Sequence, residues 1–407
     1  MSEEQIFLAA LDQPDAAARA KHLDEACQGN AQLREQVEKL LAAHFQSGEF
    51  LDVPAPQQVQ IETSAGDAVT ILTMGLSAHN EAAAMNADDD SGDLEFLAPT
   101  TRPDSLGRIG HYEVLQVIGR GGFGTVLRAF DDVLQRVVAV KVMAPQLAAT
   151  SPARKRFLRE ARTSAQVRHE NVVQVYEVGE QPLPYLVMEF IPGETLQQRL
   201  DRIGPLEVPE VVRIGRQIAE GLAAAHATDL IHRDIKPGNV LLEGGHLKVK
   251  ITDFGLARAG DDASMTQSGM IAGTPMYMAP EQVLGQMLDQ RADLFSLGTV
   301  MYQMASGRVP FRAPNSVAVL KRVADDTPRD IREVIPETPQ WLCDIIAKLH
   351  AKNPDHRYQS ARDVADVLAD CEEQLKQNSR LRDYSRIPRN KSEPAAGPFK
   401  WGVAAAL

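Results

Sequence analysis

The run IGRGGFGTV at residues 118–126 sets Gly119, Gly121 and Gly124 in a G-x-G-x-x-G pattern, with Gly122 and Phe123 inside it. Glycines so spaced let backbone N–H groups approach a phosphate with no side chain between. Alone, the triplet fits a dinucleotide-binding turn, a phosphate-covering flap or a merely flexible turn. A dinucleotide fold needs a helix directly after the glycines, with the pyrophosphate on its N-terminus. Here TVLRAF and RVVAVKV follow instead, alternating in the manner of strands around a turn near DDVLQ. The loop is therefore expected to join two antiparallel strands and to lie over phosphates as a flap. Metal and thiol chemistry find little support. Cys27, Cys343 and Cys371 stand far apart with no C-x-x-C spacing, and the ten histidines form no H-x-x-x-H pair. The cysteines read as reduced packing thiols, without zinc or disulfide roles.

The elements that must carry this loop belong to a soluble globular chain. With 407 residues, 44% hydrophobic and 24% charged, it is long enough for two or three domains. Its net charge of −12 is unevenly spread. Residues 1–107 carry 19 acidic and 5 basic side chains, a net of −14, and the remaining 300 carry 36 and 38, a net of +2. The acidity is thus local, and nothing suggests a broad nucleic-acid-binding surface. The acidic start MSEEQIFLAALDQ has no long apolar run and is not read as a secretory signal. Ile6, Phe7, Ala10 and Leu11, and later Leu33, Val37, Leu40 and Leu41, recur at helical spacing. Residues 1–51 are expected to be a small helical bundle, with docking or autoinhibition as the sharper alternative. Residues 52–107, rich in Ala, Asp, Ser, Thr and Pro, read as an acidic and mostly disordered linker. Strands dominate from residue 112. A helix is expected over 151–167, with Ser151 as N-cap and Pro152 in its first turn. Helices prevail beyond residue 190, with SARDVADVLADCEEQL as the last and the folded unit ending near residue 375.

With the elements in place, residues 112–371 resemble a protein kinase domain of the bacterial, eukaryotic-like (Hanks) serine/threonine type. The resemblance rests on motifs in order: the glycine loop, VAVK, RFLREA, YLVMEFIPGETL, IHRDIKPGNVLL, ITDFGLAR and GTPMYMAPEQ. It implies an α+β bilobal protein kinase fold, a small β-rich N-lobe and a larger helical C-lobe spanning residues 108–375, preceded by the helical segment and acidic linker. It also implies ATP as substrate and Mg2+ as cofactor.

Phosphoryl transfer asks a protein mainly for positioning and charge stabilisation, and the resemblance distributes these tasks. Gly119, Gly121, Gly122, Phe123 and Gly124 would cover the phosphates, while Ile118, Val126, Ala139, Met188 and Leu241 would enclose the adenine and ribose. The backbone of Glu189 and Ile191 would pair with the purine edge. Lys141 would bind the α- and β-phosphates, steadied by Glu160. Helical spacing puts Glu160 on the side of Phe157, Ala161 and Ser164. Asp234 would orient the substrate hydroxyl and accept its proton. Lys236 would steady the phosphoryl group, and its position is the serine/threonine pattern. Asn239 and Asp253 would hold magnesium. His232, Asp293, Glu281 and Arg357 are expected to be structural, Asp293 as the brace of the catalytic loop and the last two as a buried pair.

A peptide platform at GTPMYMAPEQ, with Thr274 near the catalytic aspartate, implies protein substrates with serine or threonine rather than small molecules. Because Lys141, Glu160, Asp234, Asn239 and Asp253 are all present, a pseudokinase scaffold is the less favoured alternative. Arg233 directly precedes Asp234 and implies activation-loop phosphorylation, at Thr266 or Ser268 or at Ser264, with self-association for autophosphorylation in trans. Residues 376–407 form a basic tail: between 376 and 400 lie seven Lys/Arg against Asp383 and Glu393, followed by WGVAAAL. That apolar run is too short to span a bilayer, yet a basic flank with an interfacial Trp reads as a membrane junction. Two readings stand side by side: a cytoplasmic kinase domain from a shortened membrane-anchored form, its tail meeting an anionic surface at the inner membrane, or a soluble kinase with a frayed, mildly basic tail.

Overall fold

The structure, a computed structural model, describes residues 94–244, 248–254, 275–378, 381 and 384–388, with positions 23, 26, 27 and 34 besides. The chain divides into two units, Met1–Met85 and Asn86–Leu407. In the first, Leu23, Ala26, Cys27 and Arg34 are helical, and Leu23 and Cys27 are buried. The remainder of the expected helical segment, most of the linker, Ser264, Thr266, Ser268, Thr274 and the tail beyond residue 388 lie outside the described residues.

The second unit begins with a six-stranded sheet made of β1 (Gly107–Ile109), β2 (Tyr112–Gly121), β3 (Gly124–Asp131), β4 (Arg136–Met143), β5 (Val175–Gly179) and β6 (Tyr185–Glu189). Their order is β1-β2-β3-β4-β6-β5, and every neighbour is antiparallel. The glycine loop is the tip of the β2–β3 hairpin, where Gly121 pairs with Gly124, as its strand-like flanks predict. The turn expected at DDVLQ joins β3 to β4, and the Asp131 carboxylate closes it by accepting the Val133 and Leu134 N–H groups at 3.0 and 2.9 Å.

β4 lies inside the sheet and is covered on both faces, so its sequence reads as a nearly continuous apolar run. Val138, Val140 and Val142 face one layer with Val114, Leu127 and Ala129. Ala139 and Met143 face the other, with Phe157, Leu158, Leu186 and Met188. Side chains alternate along a strand, so Lys141 must share the face of Ala139 and Met143. That layer is closed by α2 (Ser151–Ser164), which follows the short α1 (Pro145–Ala148). The N-cap of α2 is Thr150, one residue earlier than expected, and its hydroxyl instead donates to the Leu147 carbonyl at 2.8 Å.

The larger lobe contains β7 (Gly193–Thr195), α3 (Leu196–Ile203), α4 (Val208–His226), β8 (Val240–Glu243), β9 (Lys248–Ile251), α5 (Pro280–Val283), α6 (Arg291–Ser306), α7 (Ser316–Asp325), α8 (Gln340–Leu349) and α9 (Ala361–Asn378). β7, β8 and β9 pair antiparallel in that order. Helix α6 is buried on every side from Ala292 to Ser306, the mark of a helix inside a core. Its polar residues are satisfied there: Ser296 donates to the Tyr277 carbonyl at 2.7 Å, and Gln303 accepts from the Tyr277 hydroxyl at 2.6 Å.

Both edges of this unit run further than the sequence pattern indicates. Leu94, Phe96 and Leu97, in the segment read as linker, pack on the outer layer of the six-stranded sheet. At the other end, Leu381 and Ile387 join the core of the larger lobe beyond the expected boundary near 375. Isolated apolar residues in a polar stretch carry no period, so only the tertiary contact shows that they pack against the core.

Candidate active site

The β2–β3 hairpin explains its glycines unequally. A Cβ on Gly124 would sit 1.9 Å from the Val142 carbonyl, and its φ of +143° also requires glycine. Gly121 and Gly122 face open space and Gly119 meets only ordinary contacts. The protein's own packing does not demand glycine at 121 or 122, so those positions fit a ligand that approaches the backbone. Behind the hairpin, Val126, Ala139, Met188, Ile191 and Leu241 belong to one apolar cluster, with Ala139 opposite Met188 in the sheet register. The residues expected to enclose an adenine thus lie together. Ile118, at the second bulge of β2, is 43% exposed, and Phe123 occupies the hairpin tip.

Lys141 reaches the cleft from β4, with Nζ 2.8 Å from Asp253 Oδ1. Asp253 is thus an ion-pair partner of Lys141 that its place in the sequence does not announce. A nearly buried ammonium needs a carboxylate close by, and Asp253 supplies one from the residues after β9. Its φ of 65° lies in the left-handed region that a non-glycine residue rarely adopts. Burial pushes the Asp253 carboxyl up, but the Lys141 charge and hydrogen bond, with Lys236 farther out, outweigh it and hold the group below its ordinary value. Glu160 is buried on α2 with Phe157, Ala161 and Ser164, the face its spacing predicts. A small cavity behind Met188 is lined by Ala161, Ser164, Val173, Thr252, Asp253 and Phe254.

Asp234 lies in the segment between α4 and β8. Lys236 Nζ donates to its Oδ2 at 2.7 Å, and Asn239 Nδ2 reaches the same oxygen at 3.1 Å and the Asp234 carbonyl at 2.8 Å. Two neighbouring side chains, Lys236 and Asn239, thus meet on the Asp234 carboxylate. The loop that carries them is fixed from below. Asp293 on α6 accepts the His232 and Arg233 N–H groups at 2.8 and 2.7 Å. His226 Nε2 also lies 2.8 Å from Asp293 Oδ2. His232 is fully buried; its Nε2 donates to the Thr252 carbonyl, so its Nδ1 accepts the Asp234 N–H. Its ring lies 4.5 Å from that of Phe254. The histidine therefore ties the Asp234 loop to the Asp253 segment, the packing role expected of it. The Thr252 N–H adds a bond to the Asn239 carbonyl at 3.0 Å.

Glu281 and Arg357 form the expected pair, bidentate at 2.7 and 2.8 Å and buried on both sides. One contact escapes sequence reasoning. Lys250 on β9 donates to Glu189 Oε2 at 2.9 Å, so the side chain of the residue between the lobes holds the strand that leads to Asp253. The alternation of KVKI gives the only hint, by setting Lys248 and Lys250 on one face of β9.

The residues fit ATP and magnesium. Mg2+ is usually held by one or two protein oxygens together with substrate phosphates. Asp253 and Asn239 offer such oxygens, and among the described residues no group of three or more His, Cys, Asp or Glu could cage a metal alone.

Residues 112–368 match the protein kinase domain family, and the chain belongs to that family. Its similar relatives include bacterial enzymes. Serine/threonine-protein kinase PrkC of Bacillus subtilis is 37% identical over 262 residues, which cover 63% of this chain and 40% of PrkC. Serine/threonine-protein kinase PknA of Mycobacterium tuberculosis is 38% identical over 294 residues, covering 71% of this chain and 65% of PknA. The chain thus spans between about two fifths and two thirds of the length of these two relatives. The PknI kinase domain of Mycobacterium tuberculosis superposes with a TM-score of 0.52 at 27% identity, over 64% of this chain and 96% of that one. Rad53 1–466 in complex with AMP-PNP gives 0.54 at 25% identity, over 63% and 64%.

Proposed function

We propose that the protein transfers the γ-phosphoryl group of ATP to serine or threonine hydroxyls of proteins, itself among them. The observation that carries this reading is the convergence of Lys236 and Asn239 on the Asp234 carboxylate. In the proposed step the substrate hydroxyl oxygen attacks the γ-phosphorus, the bond from that phosphorus to ADP oxygen breaks, and Asp234 takes the hydroxyl proton. Lys236 stands where it can neutralise charge on the phosphoryl group in transit, and Lys141 does so at the α- and β-phosphates. Glu160, on the buried face of α2, is assigned to position Lys141. Magnesium, when bound through Asp253 and Asn239, supplies further charge neutralisation at the phosphates. The complex of one structural neighbour, Rad53, with the nucleotide analogue AMP-PNP supports a nucleotide in this cleft.

The choice of serine and threonine is supported by Lys236 two residues after Asp234 and by the names of the bacterial relatives. Activation-loop autophosphorylation is assigned to Thr266 and Ser268, with Ser264 as a further acceptor; a phosphate there adds roughly −1.5 to −2 charge near Arg233. The basic tail is assigned to an anionic membrane surface. Among the described residues no helix is long and apolar enough to cross a bilayer.

Transfer of labelled phosphate from ATP by the purified chain tests the reading. Asp234→Asn removes the proton acceptor and Asp253→Asn removes a ligand charge, so each should reduce transfer at least about a hundredfold, the usual worth of one such group. Unchanged turnover in either variant, with the fold intact by circular dichroism, would overturn the assignment.

A further inference from the structure

The family match begins at residue 112, yet the residues before it are built into the nucleotide-covering hairpin. Residues 94–109 form a strap. Its strand β1 pairs with Tyr112, Glu113 and Val114 at the start of β2, and Ala98 bridges to Arg108 outside it. Leu94, Phe96 and Leu97 pack on the outer layer of the sheet. The fit is close: a Cβ on Gly107 would lie 2.8 Å from Leu97 Cβ and 3.0 Å from the Ala98 carbonyl.

The strap converges on one buried carboxylate. Glu113 on β2 is 3% exposed. It accepts Thr100 Oγ1 and Ser105 Oγ, each at 2.8 Å, and pairs with Arg108 at 3.1 Å. The Leu106 N–H donates to the neighbouring Val114 carbonyl at 2.8 Å. Arg102 reaches across to Asp132, beyond the end of β3, at 2.8 Å. Both strands of the hairpin are therefore gripped at the end remote from the glycines.

The register shows where the grip stops. β2 and β3 pair from Tyr112–Asp131 to Gly121–Gly124, with a bulge between Val114 and Gln116. The strand pairing and hydrogen bonds of the strap with β2 fall on Tyr112–Val114, before that bulge, and beyond it β2 is paired in the sheet with β3 alone. A two-stranded ribbon clamped at its base and irregular just past the clamp bends at the irregularity. We infer that the strap, through Glu113, sets the pivot of the phosphate-covering hairpin, making Glu113 a positioning residue for ATP. This inference rests on the nucleotide-binding reading of the cleft. A tip held over the phosphates for a smaller fraction of the time weakens apparent ATP affinity by that fraction, while Asp234 and its partners are untouched.

The test compares wild-type full-length chain with Thr100→Val/Ser105→Ala, which removes two donors to Glu113, and with Glu113→Gln, which keeps shape and an acceptor. Deuterium uptake is read in 94–109, 115–121 and the larger lobe, beside the kinetics of transfer. The expected result for the double variant is faster uptake in 94–109 and in 115–121, with the larger lobe unchanged. Its KM for ATP should rise about fivefold, the equivalent of one lost hydrogen bond of ~1 kcal/mol, with kcat within about twofold of wild type. Glu113→Gln should fall between the two. Faster uptake in 94–109 with no change in 115–121 would overturn the inference, as would a loss confined to kcat. If the wild-type chain transfers no phosphate, the kinase reading fails, and the uptake of 115–121 still decides whether the strap controls the hairpin. Should the double variant unfold, Ser105→Ala alone is judged by the same two segments.

Discussion

Arg357 is the largest fully enclosed side chain among the described residues, and its charge is acceptable there only because Glu281 meets it with both oxygens. Its remaining donors reach the carbonyls of Ala351, Arg291 and Lys352. Removing one partner of such a pair strands the other charge away from water. Arg357→Met should lower the unfolding free energy by about 3–5 kcal/mol, read from the urea midpoint. Arg357→Met/Glu281→Leu should recover a large part of that loss. A single variant as stable as wild type would show that the pair is dispensable. Glu113 makes a different residue-scale prediction. Burial raises its carboxyl, but the hydrogen bonds from Ser105 and Thr100 and the Arg108 charge prevail and hold it below its ordinary 4.5. A carboxyl lowered in the folded state contributes stability above the unfolded value, and that contribution is lost as pH falls through the folded one. The stability difference between wild type and Glu113→Gln should therefore be constant near neutrality and shrink below pH 4.5, as followed by thermal melts across pH. A difference that grows on acidification would contradict this sign.

At the level of elements, α9 does not close the larger lobe. Leu381 and Ile387 belong to the same core as Val211, Leu222, Leu368 and Cys371. Leu381 and Ile387 thus belong to the folded domain, although the composition around them reads as the start of a basic tail. Ile387→Ala should cost about 2–4 kcal/mol, the usual range for truncating a buried aliphatic chain. A chain ending at residue 378 should lose more, with near-complete retention of helical circular dichroism. Unaltered melting of the truncated chain would place residues 381–388 outside the cooperative unit. The strap at the other end obeys the same logic. Leu94, Phe96 and Leu97 are few, and each becomes meaningful only where the sheet offers a surface.

Across the whole molecule, two apolar layers on either side of the six-stranded sheet and a separate large helical core leave the cleft between them to be tied by polar contacts. Lys141 with Asp253, and Lys250 with Glu189, are two such ties. A nucleotide held by residues of both lobes binds the folded chain only. ATP with magnesium at about a hundred times Kd should therefore stabilise the protein by roughly 2.7 kcal/mol and raise its melting temperature. Chelating magnesium should shrink that shift, and Asp253→Asn should make the chelator ineffective. An equal shift with and without magnesium would remove Asp253 and Asn239 from metal binding.

What the sequence determined by itself is the chemistry and the order of its parts. The glycine hairpin, the Lys141 strand, the Glu160 face of α2, the Asp234 loop and Asp253 are legible because each is a local pattern with its own period or spacing. The fold class followed from the same motifs. The tertiary structure alone decided which distant groups meet. Lys141 pairs with Asp253, Lys250 with Glu189, and Glu113 gathers a strap that its composition disguises as linker. Hydrogen bonds and ion pairs between groups tens of residues apart leave no periodic trace along the chain, because their geometry exists only after the sheet and helices have packed.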